Sequence, residues 1–235
     1  MQNGGFHGLT EPFNSTIFGK MKRLFILALA AALAGGCKRG GESALTVIDK
    51  FGGPPYTGRV TVTIEAPGQP SAYHAGQASF QLSDSTHNVA RLVLFGAIGD
   101  ESEQAGDAGF ILDGTYTDSG WSFRRDPMRF EIDGQGNIFG EMETDDERYT
   151  YSGIISPTEF SIKTVAERLT ATPGGYPAGT MFRFEHSGQR VDPNAPPSTD
   201  GGDGSGCRNI RWELRNVWNP GGGAMSLVRV PVCYD

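Results

Sequence analysis

From Leu45 almost to its end, the chain alternates apolar and polar residues over short runs separated by turn-forming residues. Alternation with a period of two places successive side chains on opposite faces of an extended strand, so this pattern specifies β-structure with one face buried. In "GRVTVTIEA", Val60, Val62 and Ile64 fall on one face, while Arg59, Thr61, Thr63 and Glu65 fall on the other. In "ASFQLSD", Phe80 and Leu82 alternate with Ser79, Gln81 and Ser83. "ARLVLFGAI" is more continuously apolar, as expected of a central strand covered on both faces or of one leading into a bulge at Gly96.

The clearest hairpin is "MRFEIDGQGNIFGEME". Phe130 and Ile132 share one face of the first strand, the turn over Asp133 to Asn137 supplies positive φ angles, and Ile138 and Met142 continue the apolar face on the return strand. "RYTYSGII" begins the next strand. "TEFSIKTVAERLT" has apolar residues at both strand and helix spacings; its neighbours are strands, and a strand is expected here too.

The segment 192–206, "DPNAPPSTDGGDGSG", has no apolar periodicity and reads as a flexible loop. A last hairpin follows, "CRNIRWELRNVW" and "AMSLVRVPVCY" about a turn beginning at Asn219-Pro220. Centred on Pro220, antiparallel partners have residue numbers that add to about 440. Cys207 then faces Cys233, Ile210 faces Val230, Trp212 faces Val228, and Arg211 faces Arg229. A disulfide closing a loop of about 27 residues contributes roughly 3.5 kcal/mol in the chain-entropy model. That outweighs the roughly 0 to 1 kcal/mol of the exposed Glu213–Arg229 pair offered by a register shifted by two.

A dozen or so short strands joined in sequence form an all-β, antiparallel meander, closed into a barrel or folded into a sandwich, with a disulfide-linked C-terminal hairpin. Trp121, "IDGQGNIFGE" and "YTYSGI" together loosely resemble stretches of small calycin-type barrels. The expected organisation is a single domain over 45–235.

The residues before that domain carry an address. Met21-Lys22-Arg23 is a basic start, and Leu24 to Leu33 is an apolar run of ten residues, suited to a signal peptide and too short to span a bilayer. It ends in Leu33-Ala34-Gly35-Gly36-Cys37, which resembles the signal of bacterial lipoproteins, whose cysteine is acylated and becomes the new N-terminus. The resemblance implies a signal over 21–36, lipidation at Cys37, a tether over 37–44, and attachment to the periplasmic face of the outer membrane, since Lys38 follows the cysteine. Ala32-Leu33-Ala34 also forms an A-x-A cleavage site, which would leave a soluble periplasmic protein. Residues 1–20 are then expected to be an upstream misassigned start. Of the three cysteines, acylation of Cys37 leaves Cys207 and Cys233 as a pair.

Of the 20 Lys and Arg residues, Lys20, Lys22 and Arg23 precede Cys37; of the 27 Asp and Glu residues, only Glu11 does. The chain from Cys37 onward therefore carries a charge of about −9, which disfavours nucleic acid, whose binding is driven by neutralising phosphates with Lys and Arg.

Catalytic signatures are sparse. There is no G-x-S-x-G turn, no H-E-x-x-H and no C-x-x-C. His74, His87 and His186 are far apart in sequence and are expected to be exposed. Glu141, Glu143, Asp145, Asp146 and Glu147 lack the ligand spacing of an EF-hand and read as a solvated hairpin end. No metal site, catalytic residue or cofactor is expected. Trp121, Arg124, Arg125 and Arg129 concentrate aromatic and positive character in an acidic chain and form the candidate interface, Trp and Arg being typical interface anchors.

The expected function is thus a lipid-anchored, non-catalytic envelope module that binds another protein, of the inhibitor, immunity or envelope-assembly accessory type. A barrel carrying a small apolar ligand is the alternative, and an envelope hydrolase using scattered carboxylates is a third.

Overall fold

A computed structural model describes residues 45–85, 87–98, 106–171, 175–191, 210–220 and 224–233. They lie in one compact unit that begins at Leu45. A short helix, α1 (Val47–Phe51), precedes ten strands: β1 (Tyr56–Glu65), β2 (Ala72–Asp84), β3 (Val89–Ile98), β4 (Gly106–Thr117), β5 (Gly120–Arg125), β6 (Met128–Asp133), β7 (Asn137–Glu143), β8 (Glu147–Ile155), β9 (Glu159–Arg168) and β10 (Met181–Arg190). Each pairs antiparallel with the next, and β10 returns to pair with β1 along its whole length, from Tyr56 opposite Arg190 to Glu65 opposite Met181. The result is a closed ten-stranded up-and-down barrel, which leaves none of these strands as a sheet edge. The β4–β5 seam is the shortest pairing, three residue pairs from Thr115–Ser122 to Thr117–Gly120.

The sequence alternation maps onto the two faces of this wall. The inward face of β1 to β4 is made by even-numbered residues, of which Tyr56, Val60, Phe80, Leu82, Leu92, Leu94, Phe110 and Leu112 are buried. Trp121, Phe123, Phe130, Ile132, Ile138, Tyr151, Ile155, Phe160 and Ile162 continue the lining around the ring. The outward face carries ion pairs across neighbouring strands: Arg91–Asp113 at 2.7 Å, Arg129–Glu141 at 3.0 Å, and Arg148 shared between Glu143 and Glu167. Apolar inside and charged outside is the reverse of a membrane-spanning barrel.

In the β6–β7 hairpin, Asp133 accepts hydrogen bonds from the backbone N–H groups of Gln135 and Asn137 and from the Asn137 side chain, and Gly136 takes φ +90°. Burial would raise the Asp133 carboxyl pKa; these hydrogen bonds outweigh it and hold the group below its ordinary value.

One end of the barrel is closed. Helix α1 was not foreshadowed by apolar periodicity, but Thr46 and Asp49 form a reciprocal capping box, each side chain bonding the other's backbone N–H. Val47 and Phe51 are buried in the barrel core, and Lys50 Nζ donates to the Gly134 carbonyl at 2.8 Å. Beneath the helix, Tyr56, Phe80 and Phe160 pack with ring centroids 5.6 to 5.9 Å apart. The Tyr56 hydroxyl donates to the Ser156 carbonyl at 2.8 Å, and the Arg190 guanidinium lies over the Tyr56 ring, 4.8 Å from its centroid.

A second, two-stranded layer, β11 (Ile210–Asn219) and β12 (Ala224–Cys233), lies on the outside of β3 and β4, joined to the main sheet by one parallel bridge from Trp218 to Phe110. Val217, Val230 and Val232 pack on the outward-facing Val93, Phe95 and Ile111. This is why "ARLVLFGAI" is apolar on both faces: Leu92 and Leu94 line the barrel while Val93 and Phe95 lie under the hairpin.

The register of that hairpin corrects the sequence expectation. Ile210 pairs with Cys233, Trp212 with Pro231 and Asn219 with Ala224, so partner numbers add to 443 rather than 440. Because Asn219 pairs with Ala224, the pairing is centred beyond Pro220 instead of on it. An odd shift exchanges the faces of one strand relative to the other. The β12 valines Val228, Val230 and Val232 still face inward, but they pair with Arg215, Glu213 and Arg211, and Trp212 faces outward. Cys233 stands opposite Ile210, and Cys207 lies outside the described residues, as do residues 1–44 and the 192–206 loop.

Candidate functional site

The barrel is filled at the α1 end and hollow towards the other. A cavity of about 680 Å³ opens at the end formed by the β5–β6 and β7–β8 turns. Its volume is within the range typical of small-molecule pockets. Leu94, Phe110, Tyr151, Thr164, Phe184 and His186 come from the middle of their strands and form its deeper part; Arg125, Asp126, Pro127, Thr144 and Glu147 form the rim, with Pro220 from the β11–β12 turn.

The depth of this cavity has a polar component. His186 is 4% exposed, yet neither ring nitrogen makes a well-formed hydrogen bond, and the Thr164 hydroxyl is likewise buried without a partner. Burial pushes the His186 pKa down to about 4, a shift opposed weakly by the nearby Ile162 carbonyl. The imidazole is therefore neutral near pH 7, with one nitrogen donating and the other accepting. Tyr151 is also buried, and burial pushes its pKa well above the ordinary tyrosine value, so its hydroxyl stays protonated. Its ring packs edge-on against Phe110 and Phe130 and stacks on Tyr149 with an interplanar angle of 8°.

Nearer the rim, Glu147 ties two groups together. It accepts hydrogen bonds from the Tyr149 hydroxyl and from Arg168 Nη2, the latter at 2.7 Å. Burial, with this carboxylate second, raises the Tyr149 pKa. Glu147 thus departs from the solvated hairpin end expected for its acidic cluster, while Glu141 and Glu143 are satisfied by exposed arginines. Among the described residues no group of three or more His, Cys, Asp or Glu side chains converges in a metal-holding arrangement.

The candidate interface of Trp121, Arg124, Arg125 and Arg129 is divided by the strand period. Trp121 is 1% exposed in the barrel core, where its Nε1 donates to the Ala90 carbonyl at 2.9 Å, so it is not a surface anchor. Arg124 and Arg129 point outward to Glu131 and Glu141, and Arg125 turns to the cavity rim. Of the three histidines expected to be exposed, His74 and His87 are, and His186 is not. The signal that could have placed it is its parity: Phe182, Phe184 and His186 alternate along one strand in "MFRFEHSGQR".

A different surface is apolar. Trp212, Leu214, Met225 and Leu227 lie on the outer face of the β11–β12 hairpin, each about half or more exposed. Compared with known proteins, the chain matches no family, no curated protein and no solved structure.

Proposed function

We propose that this protein is a cell-envelope binding protein that holds a small, largely apolar ligand inside its barrel, tethered to the periplasmic face of the outer membrane through acylated Cys37. The observation that carries the reading is the 680 Å³ cavity in a barrel whose other end is closed by α1. Aromatic and aliphatic walls favour an apolar body by removing its surface from water. A binding rather than catalytic role is supported by the chemistry at the cavity floor: a histidine with a pKa of about 4 is a weak general base, and the tyrosine hydroxyls are held protonated. The address rests on the lipoprotein-like signal and on the cysteine count, which also motivates a disulfide between Cys207 and Cys233.

The test is binding of the neutral, environment-sensitive dye N-phenyl-1-naphthylamine to the purified barrel, compared with a Met142→Trp variant that narrows the cavity. Saturable binding that the variant weakens while keeping its β-sheet circular dichroism is expected. No saturable binding to the wild type would overturn the carrier reading.

A second reading, docking of a protein partner, is favoured by the exposed Trp212, Leu214, Met225 and Leu227 face rather than by the Trp121 and arginine cluster. The two readings are compatible, since the face and the cavity lie on different parts of the fold.

A further inference from the structure

We propose that the cavity selects ligands whose inserted end carries an uncharged group able both to donate and to accept a hydrogen bond, a hydroxyl or a primary amide, in preference to a carboxylate or a purely apolar end. This rests on the carrier reading above and adds the chemistry of the ligand's head and its direction of entry.

The argument begins with what the cavity floor lacks. His186 and Thr164, on the adjacent strands β10 and β9, are buried to 4% and 6% exposure, line the same cavity and make no well-formed hydrogen bond, the Ile162 carbonyl lying near the imidazole without the geometry of one. Buried polar groups in folded proteins are nearly always paired, and an unpaired one costs stability, so such groups facing a cavity favour an occupant that completes them. Tyr151, whose hydroxyl burial keeps protonated, adds a third polar group to the lining of the same cavity.

These groups are matched in kind. Neutral imidazole presents one donor and one acceptor, and each hydroxyl presents both. A ligand hydroxyl or primary amide can answer a donor and an acceptor together, whereas an ether answers only the donor. A carboxylate is disfavoured because, among the described residues, no cation lines the floor: the imidazole is neutral, and the cavity-lining charges, Arg125, Asp126 and Glu147, lie at the rim. Burying an unpaired carboxylate is expensive. The surrounding Leu94, Phe110 and Phe184 leave the remainder of the ligand in apolar contact, so the polar end goes in first.

The experiment measures displacement of N-phenyl-1-naphthylamine at pH 7.5 by decan-1-ol, 1-methoxydecane and decanoate, which share a chain and differ at the head. Decan-1-ol is expected to compete at least about tenfold better than either of the others, the scale set by leaving buried polar groups unsatisfied. Thr164→Val, close to isosteric, and His186→Phe should each reduce this preference while still binding the dye, with thermal melts reporting that the variants fold. Equal competition by the alcohol and the ether, or stronger competition by decanoate, in the wild type would overturn the proposal while leaving the carrier reading standing. A preference that survives undiminished in folded Thr164→Val and His186→Phe would overturn the assignment of these residues. Failure of the dye itself to bind would remove both readings together.

Discussion

The indole of Trp121 occupies the space where Gly114 has no side chain: a Cβ on Gly114 would lie 2.4 Å from Trp121 Cζ2 and 2.5 Å from Cε2. The pair sits on β4 and β5, the strands whose short seam completes the barrel. Gly114→Ala would press a methyl into a fixed ring and, at 2.6 Å, into the Ser122 carbonyl. The variant is expected to lose about 1–3 kcal/mol, the usual cost of overpacking a filled core. Urea denaturation measures it, and an unchanged midpoint would show that the ring does not pack there.

His186 makes stability depend on pH. An ordinary histidine titrates near pH 6.5, and burial lowers this one to about 4 in the folded protein. Above about pH 6.5 the ring is neutral folded and unfolded, and the stability is fully present. As the pH falls from there towards 4, the unfolded chain takes up a proton that the folded one refuses, so the fold loses about 3 kcal/mol in total. His186→Gln cannot titrate, and its stability should fall less than the wild type's over this window. Parallel slopes for the two proteins in denaturant melts between pH 7 and 4 would contradict the burial.

The proposed acylation of Cys37 makes a prediction at the cell level. Labelled palmitate should enter the wild-type protein and should not enter a Cys37→Ala variant. Two or more acyl chains give stable anchoring, so the variant should move from the membrane to the soluble fraction. Labelling that persists in the variant, or never appears in the wild type, would leave a soluble periplasmic protein.

The outer face of the β11–β12 hairpin separates docking from stability. Leu214 and Leu227 are about 60% exposed, so replacing both with Lys should change stability by no more than about 0.5 kcal/mol per site. Crosslinking in envelope extract should at the same time lose any partner that docks on this face. A fall of many degrees in Tm would mean that the two leucines are covered within the fold.

Much of the wall was legible because strand alternation is a local property. Val60, Val62, Phe80, Leu82, Phe130, Ile132 and Ile138 face inward as their parity requires, and "TEFSIKTVAERLT" is strand β9. Helix α1 was missed because five residues contain too little periodicity, although the Thr46 and Asp49 capping box was present to be read. The last hairpin was placed out of register because Pro220 opens its turn and does not centre it. The cavity had no sequence signature at all: its lining comes from strands scattered between Leu94 and His186, and each contributes only one to three ordinary positions.

By itself, the sequence determined that this chain forms antiparallel strands joined in order, which positions of each strand are apolar, and that β3 is apolar at both parities. These follow from side-chain period and turn chemistry, which act over a few residues. Only the tertiary structure decided that β10 closes onto β1 and β4 onto β5, giving a barrel rather than a sandwich. Closure is a property of the whole ring's twist and pairing, to which no single strand is sensitive. That closure turned His186 from one alternating residue among many into a neutral, unpartnered imidazole at the floor of a cavity, and it enclosed Trp121, which the sequence had offered as a surface anchor, in the core.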